Sequence, residues 1–229
     1  MRKDLILQIE TATTMCSVAL SAGGELLALK ELNERNVHAK EITLFIDEVM
    51  ARAGFAYNAL DAIAVSKGPG SYTGLRIGVS TAKGLCFALD IPLIAVNTLE
   101  AMAFGFMSHH PEMNGNALLC PMIDARRMEV YTAMFDTQLN MMEPASAKVL
   151  DAQTFDQYFT KHEMVFFGDG ADKTQSLYLA YSNYRFVEFE SSAAHLSGLA
   201  LHKLKNKEFE DVAYFEPYYL KDFIASVSR

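Results

Sequence analysis

Residues 68–78 read Gly-Pro-Gly-Ser-Tyr-Thr-Gly-Leu-Arg-Ile-Gly, a stretch rich in turn-forming residues. They follow residues 61–66, an apolar run typical of a buried strand, and they precede residues 75–89, which predict a helix. Proline fixes its own φ angle, and glycine permits unusual backbone angles and the close approach of another segment. We therefore expect a strand, a tight turn and a helix whose first free N–H groups are capped by Ser71 or Thr73.

Such a turn brings backbone donors and the dipole of a helix N-terminus together, which makes Gly68, Gly70 and Ser71 candidate contacts for a nucleotide. The known phosphate-binding patterns do not match, however. The Walker pattern ends in Gly-Lys-Ser/Thr, but Gly74 is followed by leucine and arginine, and the G-x-G-x-x-G spacing fails by one residue. The residues leave two interpretations open: a ligand site and a purely structural turn.

The composition is typical of a folded protein without membrane spans. The chain has 229 residues, of which 51% are hydrophobic and 21% charged, so it is long enough for two small domains. No apolar run reaches the length of a membrane span, and polar residues interrupt the apolar N-terminal segment, so we expect no signal peptide. Three widely separated cysteines favour a reducing cytoplasm over a disulfide framework. The net charge of −8 lacks the broad basic footprint of a nucleic-acid-binding protein.

The first half of the chain predicts the element order β-β-β-α-β-α-β-α. Gly23-Gly24 is a strong hairpin signal between two of the strands. Apolar residues recur at the helical period from Ile42 onward, and Gly54 ends that helix. This order predicts one mixed sheet covered by helices, which we assign to residues 1–108. The predicted strands are residues 5–10, 16–21, 26–30, 62–66 and 91–96.

The second half of the chain repeats this plan after a polar, turn-rich break. Strand-like runs at residues 117–123 and 128–135 flank a short turn, and a helix near residues 152–161 and a strand at residues 165–167 follow. We interpret residues 109–229 as a divergent copy of the first domain, whose last segment packs back on the first. The expected fold class is therefore α/β, with two duplicated mixed-sheet domains.

Five short motifs, in this order and over nearly the whole chain, resemble the TsaB family. They are residues 7–13 (LQIETAT), 68–78, 123–131 (IDARRMEVY), 168–170 (GDG) and 217–221 (PYYLK). The resemblance implies the actin, chaperone-ATPase and sugar-kinase superfold. It also implies a role in making threonylcarbamoyladenosine, the modified adenosine beside the anticodon of many tRNAs.

The resemblance further implies partners and a division of labour. A separate protein, TsaD, transfers the threonylcarbamoyl group and holds the metal, and an ATPase, TsaE, joins the complex. The chain is then a cytoplasmic partner subunit with no cofactor and no enzymatic activity of its own. ATP or ADP enters only with the complex, and tRNA is reached only through it. Whether the free chain is a monomer or a homodimer stays open.

Two helices are the expected contact with TsaD. One side of the second helix carries small residues at i, i+4 spacing, which lets a partner helix approach closely, and the first helix presents polar and apolar positions opposite its core stripe. The alternative is that the small residues face the chain's own sheet. The predicted interface residues are Leu44, Asp47, Ala51, Gly74, Gly78 and Ala82.

The carboxylates at strand ends are the remaining candidates for contacts in a cleft. Glu10, Asp124 and Asp169 each end a strand beside a turn, the last within Gly168-Asp169-Gly170. The alternative for the two aspartates is that they accept backbone N–H groups in tight turns. Glu10 stands where the TsaB family usually has aspartate, which weakens any case for nucleotide–magnesium chemistry.

Three functions compete on the sequence alone. The leading one is a non-catalytic partner subunit of TsaD, and the second is an autonomous sugar-kinase-like ATPase. The third, a metallopeptidase, requires converging metal ligands, and no two histidines lie at i, i+4 spacing on one predicted helix. We expect no bound catalytic metal.

Overall fold

The computed structural model describes residues 3–113 and 115–221, which contain two five-stranded mixed sheets. The first sheet consists of β1 (Leu5–Glu10), β2 (Met15–Ala22), β3 (Glu25–Asn33), β4 (Ala62–Gly68) and β5 (Leu93–Asn97). Its strand order is β3-β2-β1-β4-β5, with β1 antiparallel to β2 and parallel to β4. All six residues of β1 are buried, as expected for a central strand.

Three helices follow the strands of this sheet: α1 (His38–Ala53), α2 (Tyr72–Leu89) and α3 (Thr98–His109). The first two cover one face of the sheet, where Ile42 and Val79 share a core with Leu7 and Ile63. Gly54 ends α1 in the left-handed conformation, as predicted. The second helix begins at Tyr72 rather than at residue 75.

The second sheet repeats the topology of the first. It consists of β6 (Ala117–Asp124), β7 (Glu129–Phe135), β8 (Met141–Val149), β9 (Glu163–Phe167) and β10 (Tyr184–Val187). Its order is β10-β9-β6-β7-β8, the same pattern as in the first sheet, so the predicted α/β class with two duplicated mixed sheets is confirmed. The helix predicted near residues 152–161 is a single turn, α4 (Asp156–Phe159), and α5 (Asp172–Tyr178) follows β9.

Two helical segments fill the space between the sheets. Phe106 of α3 packs with Leu119 and Phe167 of the second sheet. A 3₁₀ turn at Ala193–Leu196 and helix α6 (Ser197–Asn206) cover the inner face of the first sheet. Each sheet therefore receives a helix from the other half of the chain, and the two cores interlock.

Residues 210–221, here called the C-terminal strap, run back along the first half of the chain. The Glu210 N–H donates to the Leu93 carbonyl at 2.9 Å, and the Tyr218 N–H donates to the Lys67 carbonyl at 2.7 Å. At its end, Lys221 forms an ion pair with Glu129 of β7. The strap thus connects the glycine turn of the first sheet to a hairpin of the second.

Candidate functional site

The glycine turn at the end of β4 is closed by the chain's own segments. Gly68 has a φ angle of 112°, and a Cβ there would lie 2.5 Å from the carbonyl oxygen of Tyr218. A Cβ at Gly70 would overlap the carbonyl of Ala12, to which the Ser71 N–H donates at 2.6 Å. The side chain of Ser71 caps α2 by accepting a backbone N–H, as predicted. These glycines permit close backbone packing, which supports the structural interpretation of the turn.

The small residues of α2 face inward. Gly74, Gly78 and Ala82 are all buried, and a Cβ at Gly78 would overlap the hydroxyl oxygen of Thr11 at the end of β1. A Cβ at Gly74 would overlap the carbonyl of the same threonine. These contacts favour the alternative, in which the small residues of α2 pack against the chain's own first sheet, and their contact with a partner helix stays a prediction.

The outer side of α1 and α2 remains open. Leu44 is 57% exposed, Ala51 is exposed, and Asp47 accepts a hydrogen bond from the hydroxyl of Tyr57 at 2.5 Å. On α2, Phe87 is 84% exposed, and the sequence analysis did not single it out. The available sequence signal was a phenylalanine in the last turn of the predicted helix. We call Leu44, Ala51 and Phe87 the outer helix face.

Glu10 is buried at the carboxyl end of β1. Its Oε1 accepts the Ala12 N–H at 2.5 Å and the Ser66 hydroxyl at 2.9 Å. Burial, with a smaller contribution from the negative charge of Asp169, raises the pKa of the Glu10 carboxyl to about 7, although the hydrogen bonds that it accepts lower it. The structure therefore brings Glu10 and Asp169 toward each other, but Glu10 is held by its own strand neighbours.

Asp124 and Asp169 hold turns together. Asp124 Oδ1 accepts the Arg126 N–H at 2.5 Å and pairs with the Lys173 ammonium at 2.8 Å. Asp169 Oδ1 accepts the Asp124 N–H at 3.0 Å, and burial raises the pKa of this carboxyl. Gly168 has a φ angle of 97° beside a carbonyl of β6. The contacts match the structural alternative, in which these aspartates accept backbone N–H groups.

A cavity of about 790 Å³ lies between β3, α3 and the segment after β10. Its lining includes the carboxylates Glu31, Asp169, Asp172, Glu188 and Glu190 together with the imidazoles of His109 and His195. None of the described lining residues is a lysine or an arginine. The electrostatic environment of this cleft therefore disfavours phosphate groups.

His195 belongs to the packed wall of the cavity. Its ring stacks on Phe189 with centroids 4.9 Å apart, and Gly105 of α3 leaves room for it, since a Cβ there would overlap the imidazole. Burial lowers the pKa of His195 to about 4, so the ring is neutral at pH 7. No local sequence pattern predicts this cavity, because its walls come from segments that are far apart in the sequence.

Neither a metal centre nor a membrane span is found in the described parts of the chain. Within residues 3–113 and 115–221, no group of three or more His, Cys, Asp or Glu side chains is placed to hold a metal ion. No described helix is both long and apolar enough to cross a bilayer. All three cysteines are free and buried, and burial raises the pKa of the Cys16 thiol to about 11.

Comparison with known sequences identifies relatives. The family model described as "TsaD: tRNA N6-adenosine threonylcarbamoyltransferase" matches residues 31–227. A protein of Haemophilus influenzae named "tRNA threonylcarbamoyladenosine biosynthesis protein TsaB" is 42% identical over 131 residues, which is 57% of this chain and 53% of that protein. The alignments of this chain span about half the length of the curated relatives it matches.

Comparison with solved structures supports the same grouping. The structure "YeaZ from Pseudomonas aeruginosa" is similar with a TM-score of 0.80 and 26% identity, covering 95% of this chain and all 100% of that one. An activator of 2-hydroxyisocaproyl-CoA dehydratase from Clostridium difficile, solved with bound ADPNP, has a TM-score of 0.51 at 7% identity, covering 90% of this chain and 98% of that one. The second likeness concerns the fold alone, and it agrees with the predicted superfold.

Proposed function

We propose that this chain, which belongs to the family described as tRNA N6-adenosine threonylcarbamoyltransferase (TsaD), is a non-catalytic partner subunit of the transferase. In this proposal it dimerises with TsaD, works together with TsaE, and supports threonylcarbamoyl transfer to the tRNA adenosine next to the anticodon. The names of the TsaB relatives support this role. In this proposal, ATP or ADP binds to the assembled complex and not to this chain alone.

The closed glycine turn is the observation that carries the non-catalytic part of the proposal. A phosphate cradle needs backbone N–H groups that point into open space. Here Ser71 N–H already donates to Ala12, and the Tyr218 carbonyl lies against Gly68. The neighbouring carboxylates are likewise engaged by backbone N–H groups, a hydroxyl or a lysine.

The outer helix face is the proposed contact with TsaD. Leu44 and Phe87 are large apolar side chains that expose more than half of their surface, on two helices that cover the same face of the first sheet. Burying such side chains in a complex removes apolar area from water and supplies binding free energy.

An autonomous sugar-kinase-like ATPase is the runner-up function, and the fold favours it. Against it stand the closed turn and the acidic cleft. A metallopeptidase would need converging ligands, and the described residues contain no such cluster.

Pairing with TsaD tests the proposal. Leu44→Glu and Phe87→Glu each place a charge where the partner would bury an apolar group, so we expect the dissociation constant for TsaD to rise about 10- to 100-fold, measured by titration calorimetry. Leu179→Glu is the matched control, since Leu179 is 72% exposed at the end of α5. Parental affinity in both test variants, with unchanged melting temperatures, would contradict the proposed surface.

A further inference from the structure

The hairpin turn between β6 and β7 holds two arginines in an unfavourable backbone conformation. Arg126 and Arg127 have φ angles of 70° and 49°. The left-handed region is unfavourable for an L-residue with a Cβ, and glycine or asparagine is its usual occupant. The turn is closed by a hydrogen bond from the Glu129 N–H to the Arg126 carbonyl at 3.1 Å, which either residue type would permit. The backbone therefore gives no reason for arginine at these positions.

The arginine side chains have no partner among the described residues. Both are exposed, and neither forms an ion pair or side-chain hydrogen bond with a residue in the described ranges. The neighbouring ammonium groups are already compensated, since Lys173 pairs with Asp124 and Lys221 with Glu129. Two uncompensated positive charges thus project from a chain whose net charge is −8.

A layer of planar groups, here called the stacked layer, lies at the same end of the strap as Lys221. The rings of Tyr72 and Tyr219 are tilted by 39° with centroids 4.9 Å apart, and the Arg76 guanidinium lies 4.2 Å above the Tyr72 ring. Arg76 Nε also donates to the Tyr219 hydroxyl at 3.3 Å. The negative charge of Glu216 offsets part of the positive charge of Arg76. The positive charge without a partner is therefore that of Arg126 and Arg127 in the hairpin turn.

The strap links these two groups. Tyr219 stands two residues before Lys221 in the sequence, and Lys221 pairs with Glu129, whose N–H closes the arginine turn. We call Tyr72, Arg76, Arg126, Arg127 and Tyr219 the basic–aromatic face.

We propose that the basic–aromatic face binds RNA directly, with the turn arginines on phosphates and the stacked layer against a base. Arginine pairs bidentately with phosphate, and bases stack on tyrosine rings and guanidinium planes. An acidic protein surface would use the arginines but would gain nothing from the stacked layer, so RNA fits both halves of the face. The proposal rests on the proposed function, in which the complex acts on tRNA, and it assigns to this chain one of the contacts through which the complex reaches tRNA.

The double variant Arg126→Asn/Arg127→Gly separates binding from folding. It places favoured residues in the left-handed turn, so the melting temperature should equal or exceed that of the parent. With the TsaD complex of this chain and an unmodified tRNA transcript, fluorescence anisotropy should show about 10-fold weaker binding. The slope of log affinity against log salt should fall by about 1–2, because phosphate contacts are lost.

Lys205→Asn/Lys207→Gly is the matched control. It removes the same number of positive charges. It also places a glycine at a position in the left-handed conformation, since Lys207 has a φ angle of 58° at the end of α6. We expect its tRNA affinity to stay within about twofold of the parent, in contrast to the turn variant. A third variant, Tyr219→Leu, should weaken tRNA binding without changing the salt slope, because stacking releases no counterions.

Equal tRNA affinity and equal salt slope in the turn variant and the parent would overturn the proposal. Loss of TsaD pairing in the turn variant, with tRNA binding intact, would also overturn it and assign the arginines to a protein partner. If the parent chain does not pair with TsaD at all, the proposed function fails. The RNA proposal is then tested by measuring the tRNA affinity of the same variants of the free chain.

Discussion

Glu10 shows how strongly one buried carboxyl reflects its surroundings. It is 1% exposed, and no positively charged side chain contributes to its environment, so desolvation dominates and raises its pKa from 4.5 to about 7. A carboxyl whose folded pKa lies above its unfolded value stabilises the fold below the unfolded pKa. That contribution is lost as the pH rises through the folded pKa. For Glu10 the window runs from 4.5 to about 7.

Glu10→Gln should therefore flatten the pH dependence of stability. Between pH 4.5 and 8, the free energy of unfolding of the parent should fall relative to the variant by up to about 3 kcal/mol. His195, whose pKa is lowered to about 4, acts in the opposite direction but is common to both proteins. Urea unfolding at several pH values measures the difference. Parallel pH profiles for parent and variant, as expected for the exposed control Glu34→Gln, would refute this assignment.

The elements show where sequence patterns suffice. The buried strand β1, the glycine that ends α1 and the serine that caps α2 follow from apolar periodicity and turn residues, so they were predicted correctly. Strand β8 was not predicted, since Pro144 and a mixed polar pattern obscure an edge strand. The four-residue β10 is too short to show a pattern.

Helix α2 illustrates why a small-residue stripe is ambiguous. Its spacing was read correctly, but the spacing does not say which surface lies opposite. In the structure, Thr11 lies opposite the small residues of α2. Thr11 is far from α2 in the sequence, and the parallel pairing of β1 and β4 brings the two together. For the same reason, the acidic cavity and the arginine turn depend on tertiary contacts that no local pattern encodes.

Two glycines of α2 provide a matched stability test. Alanine is favoured over glycine inside a helix by about 1 kcal/mol, so Gly84→Ala, with nothing within 4 Å of its Cβ, should stabilise the protein by about 0.5–1 kcal/mol. Gly78→Ala should instead destabilise it by about 1–3 kcal/mol, because the new Cβ overlaps Thr11. Thermal unfolding of both variants decides the matter. A Gly78→Ala protein as stable as the parent would return Gly78 to an open face of the helix.

The whole molecule is organised around interlocked halves. Helix α3 packs against the second sheet, whereas the 3₁₀ turn and α6 pack against the first. The C-terminal strap joins the glycine turn to the β6–β7 hairpin. The duplication was predicted from part of the pattern, a strand pair followed by a helix and a further strand, although β8 and β10 were not predicted. The exchange of helices was not, since it depends on which sheet face each apolar stripe covers.

This arrangement separates three surfaces on one chain. The outer helix face exposes large apolar side chains, the cleft is acidic, and the basic–aromatic face borders the strap. A subunit that contributes surfaces rather than reacting groups is consistent with carboxylates that are engaged in turns.

The central claim is that this chain enables threonylcarbamoyl transfer by TsaD without performing chemistry itself. The direct measurement is mass spectrometry of nucleosides from tRNA incubated with TsaD, TsaE, ATP and a threonylcarbamoyl donor, with or without this chain. We predict threonylcarbamoyladenosine only when the chain is added, strongly reduced formation with Phe87→Glu, and no formation by the chain alone. Equal formation without the chain, or transfer by the chain in the absence of TsaD, would contradict the account.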